Sequence, residues 1–228
     1  RSLLKSQNWS GYLIEASKTN VAKIKKQRIN WQHRLKIINA FIDKENINTI
    51  LDENLTEKDI GILSIDIDGN DYWILKELNS VNPTIIICEF NTIFGDQQQI
   101  SIPYEKNFDR KKSHFSKVYF GASILAYKNL LKKKNYTLLG TTSSGVNAFF
   151  IKDEYKDNII KKIKNIKIYP SIVRESLNQN SELDFSDIKE QFEKIKNMEV
   201  VDIKENKKKE LSEFNDLYSK SWLDIFNN

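Results

Sequence analysis

Asp66 and Asp68 occupy alternate positions at the end of the apolar run in GILSIDIDGNDYWIL (Gly61 to Leu75), and Asn70 and Asp71 follow at once. Carboxylates two residues apart project to the same side of a strand. Burying them unpaired is costly, so each calls for a partner, a ligand or water. Together they could take a proton from a reacting hydroxyl or hold a hard divalent cation such as magnesium. Asn70 and Asp71 suit another task, because short polar side chains and negative charge favour the start of a helix. Further acid and base candidates are Glu89, in CEFN beside the polar Asn91, and His114, in RKKSHFSK and one of two histidines.

Two known patterns contain such a pair. The aspartate-nucleophile phosphatases open their core with a strand ending in Asp-x-Asp-Gly, usually followed by Thr; here DIDG is followed by Asn70, and two strand candidates precede it. In metal-dependent glycosyltransferases an Asp-x-Asp holds a cation and the diphosphate of a nucleotide sugar, a role open to Asp66-x-Asp68.

The elements that would carry these residues follow from periodicity. Short apolar runs alternate with amphipathic stretches over residues 9–150, which predicts an α/β domain with a mostly parallel sheet. Strands are expected at Ser10 to Ala16, Leu35 to Phe41, Gly61 to Asp68, Pro83 to Phe90, Tyr136 to Thr141 and Asn147 to Lys152. Runs such as TIIIC are apolar at successive positions, as in strands covered on both faces. Helices are expected near Thr19 to Asn30, Asn46 to Glu53, Asp71 to Asn79 and Ala122 to Lys134. Only TSSGV separates the last two strands, so they should form an antiparallel hairpin turning at Gly145. In open α/β sheets ligands collect at the carboxyl ends of strands, where the acidic pair stands.

Composition limits the alternatives. With 228 residues, 39% of them hydrophobic, and only 7 Gly and 3 Pro, the chain can build a substantial core. A single cysteine, Cys88, excludes an internal disulfide framework and a Cys-rich zinc site, and suits a reducing, cytoplasmic setting. No run reaches the roughly 18 to 20 apolar residues of a membrane span, and no signal peptide is visible. The net charge is +5, and its excess lies in KIKKQRINWQHR, DRKKSHFSK and LKKKNY. These runs read first as solvated faces and next as attraction for an anionic small molecule. They carry no nucleic-acid-binding motif and no interleaved aromatics, which argues against nucleic acid. Beyond residue 152 the chain becomes charged and amphipathic, with a short strand suggested at Glu199 to Ile203. Residues 153–228 are therefore expected to form a helical C-terminal extension that caps the core, covers the site or mediates assembly into a homo-oligomer.

In their order, GYLIEAS, IINAFIDKENIN, LSIDIDGNDYWIL, PTIIICEFN and LLGTTSSGVNAFFI resemble FkbM-type methyltransferases, members of the class I S-adenosylmethionine-dependent fold. The resemblance covers roughly residues 1–152. It implies a Rossmann-like, mostly parallel sheet closed by the hairpin, and transfer of a methyl group from S-adenosylmethionine to the oxygen of a small polar acceptor. A sugar or surface-polysaccharide precursor is the leading acceptor. By the same resemblance Glu15 would bind the cofactor ribose, Phe41 and Ile42 would flank the adenine, and Asp43 would meet its amino group. Asp66 and Asp68 would face the methionine end and the acceptor, with Glu89 and Asn91 across the cleft. Asp66, Asp68 and Glu89 could together hold magnesium, and His114 is a second candidate base. The connection from Gly95 to Ser123 would overhang the strand ends, where Tyr104, Arg110, Lys111 and Lys112 could bind a phosphorylated or acidic sugar.

One departure from the family pattern stands out. The first strand and its glycine-rich turn, which hold the methionine part of the cofactor, should precede RSLLKSQN. Residues upstream of this sequence, or replacement by a segment such as MEVVDIK, would account for it. Loss of that strand would instead turn the chain into a non-catalytic relative used for binding or scaffolding.

Overall fold

The computed structural model describes residues 2–163 and 166–227; Arg1, and Lys164, Asn165 and Asn228 of the expected extension, lie outside the described residues. The chain is a mixed α/β protein that divides into two compact units, residues 1–58 with 77–81, and residues 59–76 with 82–228.

The first unit contains α1 (Ser2–Ser6), β1 (Gly11–Glu15), α2 (Lys18–Lys25), α3 (Arg28–Gln32), β2 (Leu35–Asn39) and α4 (Ile47–Asn54). β1 and β2 pair in parallel, from Gly11 beside Leu35 to Glu15 beside Asn39. The single helix expected at Thr19 to Asn30 is two. Ser17 caps the first by accepting the Asn20 N–H, and the chain breaks at Lys26 and Gln27, where the Gln27 N–H turns back to the Ile24 carbonyl. Val21, Ile38, Ile47, Leu51 and Leu55 are buried. Asn48 ties in residues 77–81, donating to the Glu77 carbonyl and accepting the Asn79 and Ser80 N–H groups.

The second unit begins with β3 (Asp59–Ile65), α5 (Asp71–Glu77), β4 (Asn82–Glu89), β5 (Ile100–Ser101), α6 (Arg110–Ser113) and α7 (Ile124–Lys133). It continues through β6 (Tyr136–Thr141), β7 (Asn147–Lys152), α8 (Lys156–Ile160), α9 (Ile188–Ile195), β8 (Glu199–Asp202), β9 (Lys207–Glu210) and α10 (Lys220–Phe226). The main sheet runs β3-β4-β7-β6. β3 and β4 are parallel, and β7 is antiparallel to both β4 and β6, which is the expected hairpin. Cys88, Ala148 and Phe150 are fully buried in it.

Residues 153–228 contain strands as well as helices. β8 is the suggested strand, and it pairs with β5 and with the lysine-rich β9 in a separate sheet, so MEVVDIK does not stand in for a strand of the main sheet. This part packs closely on the rest of the unit. Ile195, Val200, Leu211 and Leu217 share one buried cluster with Ile93, Phe94, Ile100 and Ile102. Trp222, 2% exposed, donates its indole N–H to the Ile168 carbonyl. No helix among the described residues is long and apolar enough to cross a membrane.

Candidate active site

β3 ends at Ile65, so Asp66 and Asp68 lie in the turn beyond it rather than on the strand. Alternation along a strand therefore does not align them; the turn does. Asp68 sits at φ 58, a left-handed conformation that Asp tolerates better than most residues. Asp71, 2% exposed, clamps the turn by accepting the N–H groups of Ile67 at 3.0 Å and Gly69 at 2.9 Å. Gly69 leaves room for the Phe108 ring, since a Cβ there would lie 2.2 Å from its Cδ1 and force the ring to shift. The Gly69 carbonyl accepts the Gly121 N–H, and Asn70 Nδ2 donates to the Glu105 carbonyl at 2.7 Å. The acidic turn is thus stitched to the connection that carries Arg110.

One carboxylate oxygen each from Asp66, Asp68 and Glu89 lies within 4.8 Å of the others. Arg110 is their counter-charge. Its Nη1 donates to Asp68 Oδ1 at 2.8 Å and lies 4.0 Å from Glu89 Oε2. The guanidinium is held from behind by its Nε bond to the Lys117 carbonyl at 2.7 Å and by the Phe120 ring, whose centroid is 3.6 Å away. Glu89, with only 16% of its side chain exposed, has its pKa pushed up to about 7. Burial is the main cause; Arg110 pulls the value down, and the charges of Asp66, Asp71 and Asp68 push it up. Asp66 is raised by partial desolvation first and by Asp68 next, against the pull of Arg110, although the residue as a whole is exposed.

Glu89 and Arg110 both open onto a cavity of about 330 Å³, the small end of small-molecule sites. Phe90, Val118, Phe120 and Val146 form part of its lining, and Ser171, Val173, Glu175, Ser176, Ile188 and Gln191 supply a wall from the C-terminal part. That wall is seated by backbone contacts. The Ser171 N–H donates to Thr92 Oγ1 at 2.7 Å, and a Cβ on Gly145 would lie 2.0 Å from the Pro170 carbonyl carbon.

The remaining expected residues are placed as follows. Asn91 lines the cavity, but its side chain is 3% exposed and fully engaged, donating to the Val118 and Phe120 carbonyls and accepting the Ile93 N–H. Tyr104 is half-buried on the connection, while Lys111 and Lys112 are exposed, with Lys112 paired to Asp109. None of these three lines the cavity. His114 contacts the Ser116 hydroxyl at 2.7 Å and stacks on Phe115, and its pKa is lowered by burial and then by Lys194.

In the first unit, Glu15 ends β1 and accepts the Ser17 N–H on Oε1 at 2.7 Å. Phe41 is 51% exposed after β2, Ile42 is half-buried, and Asp43 exchanges hydrogen bonds with Asn46. Sequence reasoning missed Phe120, Glu175 and Gln191, because no local motif marks residues that reach the cavity from distant segments.

The family model for the methyltransferase FkbM domain matches residues 4–138, more than half of the chain. No curated protein matches, and no solved structure matches.

Proposed function

We propose, from the premise that the chain belongs to the FkbM methyltransferase family, that it methylates a hydroxyl oxygen of a small polar acceptor such as a sugar or surface-polysaccharide precursor. S-adenosylmethionine would supply the electrophilic methyl group. The observation that carries this reading is Glu89, whose carboxyl has a pKa of about 7 and lines the cavity beside Arg110. A general base works best when its pKa lies near the operating pH. Glu89 would remove the hydroxyl proton as the oxygen attacks, and Arg110 would stabilise the ionised form of Glu89. Asp66 and Asp68 would orient the reacting groups, and orientation supplies much of the acceleration in such a transfer.

The first unit has groups suited to the adenosine part. Glu15 offers Oε2 to ribose hydroxyls while Ser17 fixes Oε1, and the exposed ring of Phe41 offers a stacking face for adenine. Ile42 would add apolar contact. Asp43 would meet the adenine amino group, although its Oδ1 already accepts the Asn46 N–H. A Rossmann-like fold and a cytoplasmic setting, suited to the lone buried Cys88, belong to the same proposal.

Asp66, Asp68 and Glu89 also fit a hard cation as a donor set, with three carboxylate oxygens in one place. Magnesium there would lower the pKa of the acceptor hydroxyl. Arg110 competes for the Asp68 and Glu89 carboxylates and already neutralises part of their charge.

Transfer of labelled methyl from S-adenosylmethionine to a panel of sugars tests the reading. Glu89→Gln is expected to slow turnover at least about a hundredfold while leaving S-adenosylhomocysteine affinity intact. Full turnover by Glu89→Gln would remove Glu89 from the mechanism.

A further inference from the structure

The cavity's polar lining is notable for how little it offers to an anion. Its side-chain amide donors are committed within the protein. Asn91 spends Nδ2 on two carbonyls, and Gln191, 7% exposed, spends Nε2 on the carbonyls of Ser186 and Val173. The Ser171 N–H is taken by Thr92, and the Ser176 hydroxyl donates to Asp184. Arg110, the only cation among the described lining residues, spends Nε on Lys117 and Nη1 on Asp68, which leaves Nη2 as its one uncommitted guanidinium nitrogen. The lining also holds two carboxylates, Glu89 in the interior and Glu175 at the exposed edge.

The basic runs do not compensate. Lys111 and Lys112 are exposed and do not line the cavity, and Lys194 is taken up by Asp184 and Ser186. A phosphate or sulfate needs several unspent N–H groups or cations, and this lining leaves it only Nη2 of Arg110, on a cation already paired with Asp68 and set against two lining carboxylates. This wall presents mainly acceptors instead, alongside apolar surface from Phe120, Val146 and Ile188 that suits the carbon face of a ring.

We infer that the acceptor is a compact, hydroxyl-bearing ring compound without net negative charge, neutral or carrying an amine, and that Glu175 selects it from the C-terminal wall. The inference rests on the methyltransferase reading for the role of the cavity. It replaces the anionic sugar suggested by the basic runs with a ligand rich in donors. Like-charge contact is an effective way to reject a wrong partner, and Glu175 is placed to reject phosphorylated forms at the entrance.

The test is calorimetric titration of the full chain, saturated with S-adenosylhomocysteine, against matched sets of glucose, galactose and mannose. Each set holds the methyl glycoside, the amino sugar and the 6-phosphate. In at least one set the glycoside or amino sugar is expected to bind about tenfold or more tightly than the phosphate, and Glu175→Lys is expected to narrow that ratio. Tighter binding of the phosphate, a ratio unmoved by Glu175→Lys, or no binding by any glycoside or amino sugar would overturn the inference. S-adenosylhomocysteine binding is read in the same experiment; its loss would overturn the methyltransferase reading instead.

Discussion

Arg110 donates to Asp68 across 42 residues of sequence at 2.8 Å, with its guanidinium carbon 3.6 Å from the centre of the Phe120 ring. Asp68 is 68% exposed on its side chain, so solvent screens the pair and its contribution to stability is at most about 1 kcal/mol. Its consequence is electrostatic, since one cation is shared by Asp68 and Glu89 and acts on the charge of Asp66 from a greater distance. Removing that cation should free the carboxylates for another. Arg110→Met is therefore expected to bind magnesium or manganese at least about tenfold more tightly than the unaltered protein, read by calorimetry. Equal affinities would show that Arg110 does not compete for those oxygens.

Glu89 makes stability depend on pH. Its carboxyl ionises near 4.5 when unfolded and at about 7 when folded, so between those values the folded state holds more protons. Stability is then highest below pH 4.5 on this account, falls as pH rises through 7, and levels off above. The total loss is of order 3 kcal/mol. Urea midpoints at pH 5 and pH 8 should differ less for Glu89→Gln than for the unaltered protein. Catalysis has the opposite slope, because the basic form of Glu89 grows as pH rises through 7.

Asp71 holds the acidic turn through two backbone N–H groups. Asp71→Ala leaves both without their acceptor and should cost about 2–3 kcal/mol in urea unfolding. Asp71→Asn keeps one acceptor oxygen and should cost less. An alanine variant as stable as the parent would contradict the clamp.

Gly145 seats the cavity wall. It combines φ +68 with a backbone approach that leaves no room for a methyl group beside Pro170. Gly145→Ala should destabilise by about 2 kcal/mol and lower hydrogen-exchange protection at Thr141 and Tyr169, whose N–H groups bond to Lys167 and Thr141. Unchanged protection would mean that the segment is held by other contacts.

Much of the fold was legible because its strands are extreme. TIIICEF is apolar at successive positions and forms β4, paired on both edges, and the TSSGV spacing gives the β6–β7 hairpin. β9 was hidden because KKKE is a solvated edge strand whose lysines read as loop or helix surface. The break between α2 and α3 left no Pro or Gly to mark it.

At the site, the trio Asp66, Asp68 and Glu89 could be anticipated from strand ends, although the turn rather than strand alternation brings the two aspartates together. The Arg110 contact with Asp68 and the wall at residues 171–191 depend on packing between distant segments, which no periodicity encodes.

The central claim is tested most directly by calorimetric titration of the purified protein with S-adenosylhomocysteine, against a nucleotide diphosphate plus manganese as comparison. Saturable binding of the first alone, weakened about tenfold or more by Glu15→Ala, is the predicted result. Binding of the nucleotide diphosphate alone, or of neither, would contradict it, the former in favour of a glycosyltransferase and the latter of a scaffold.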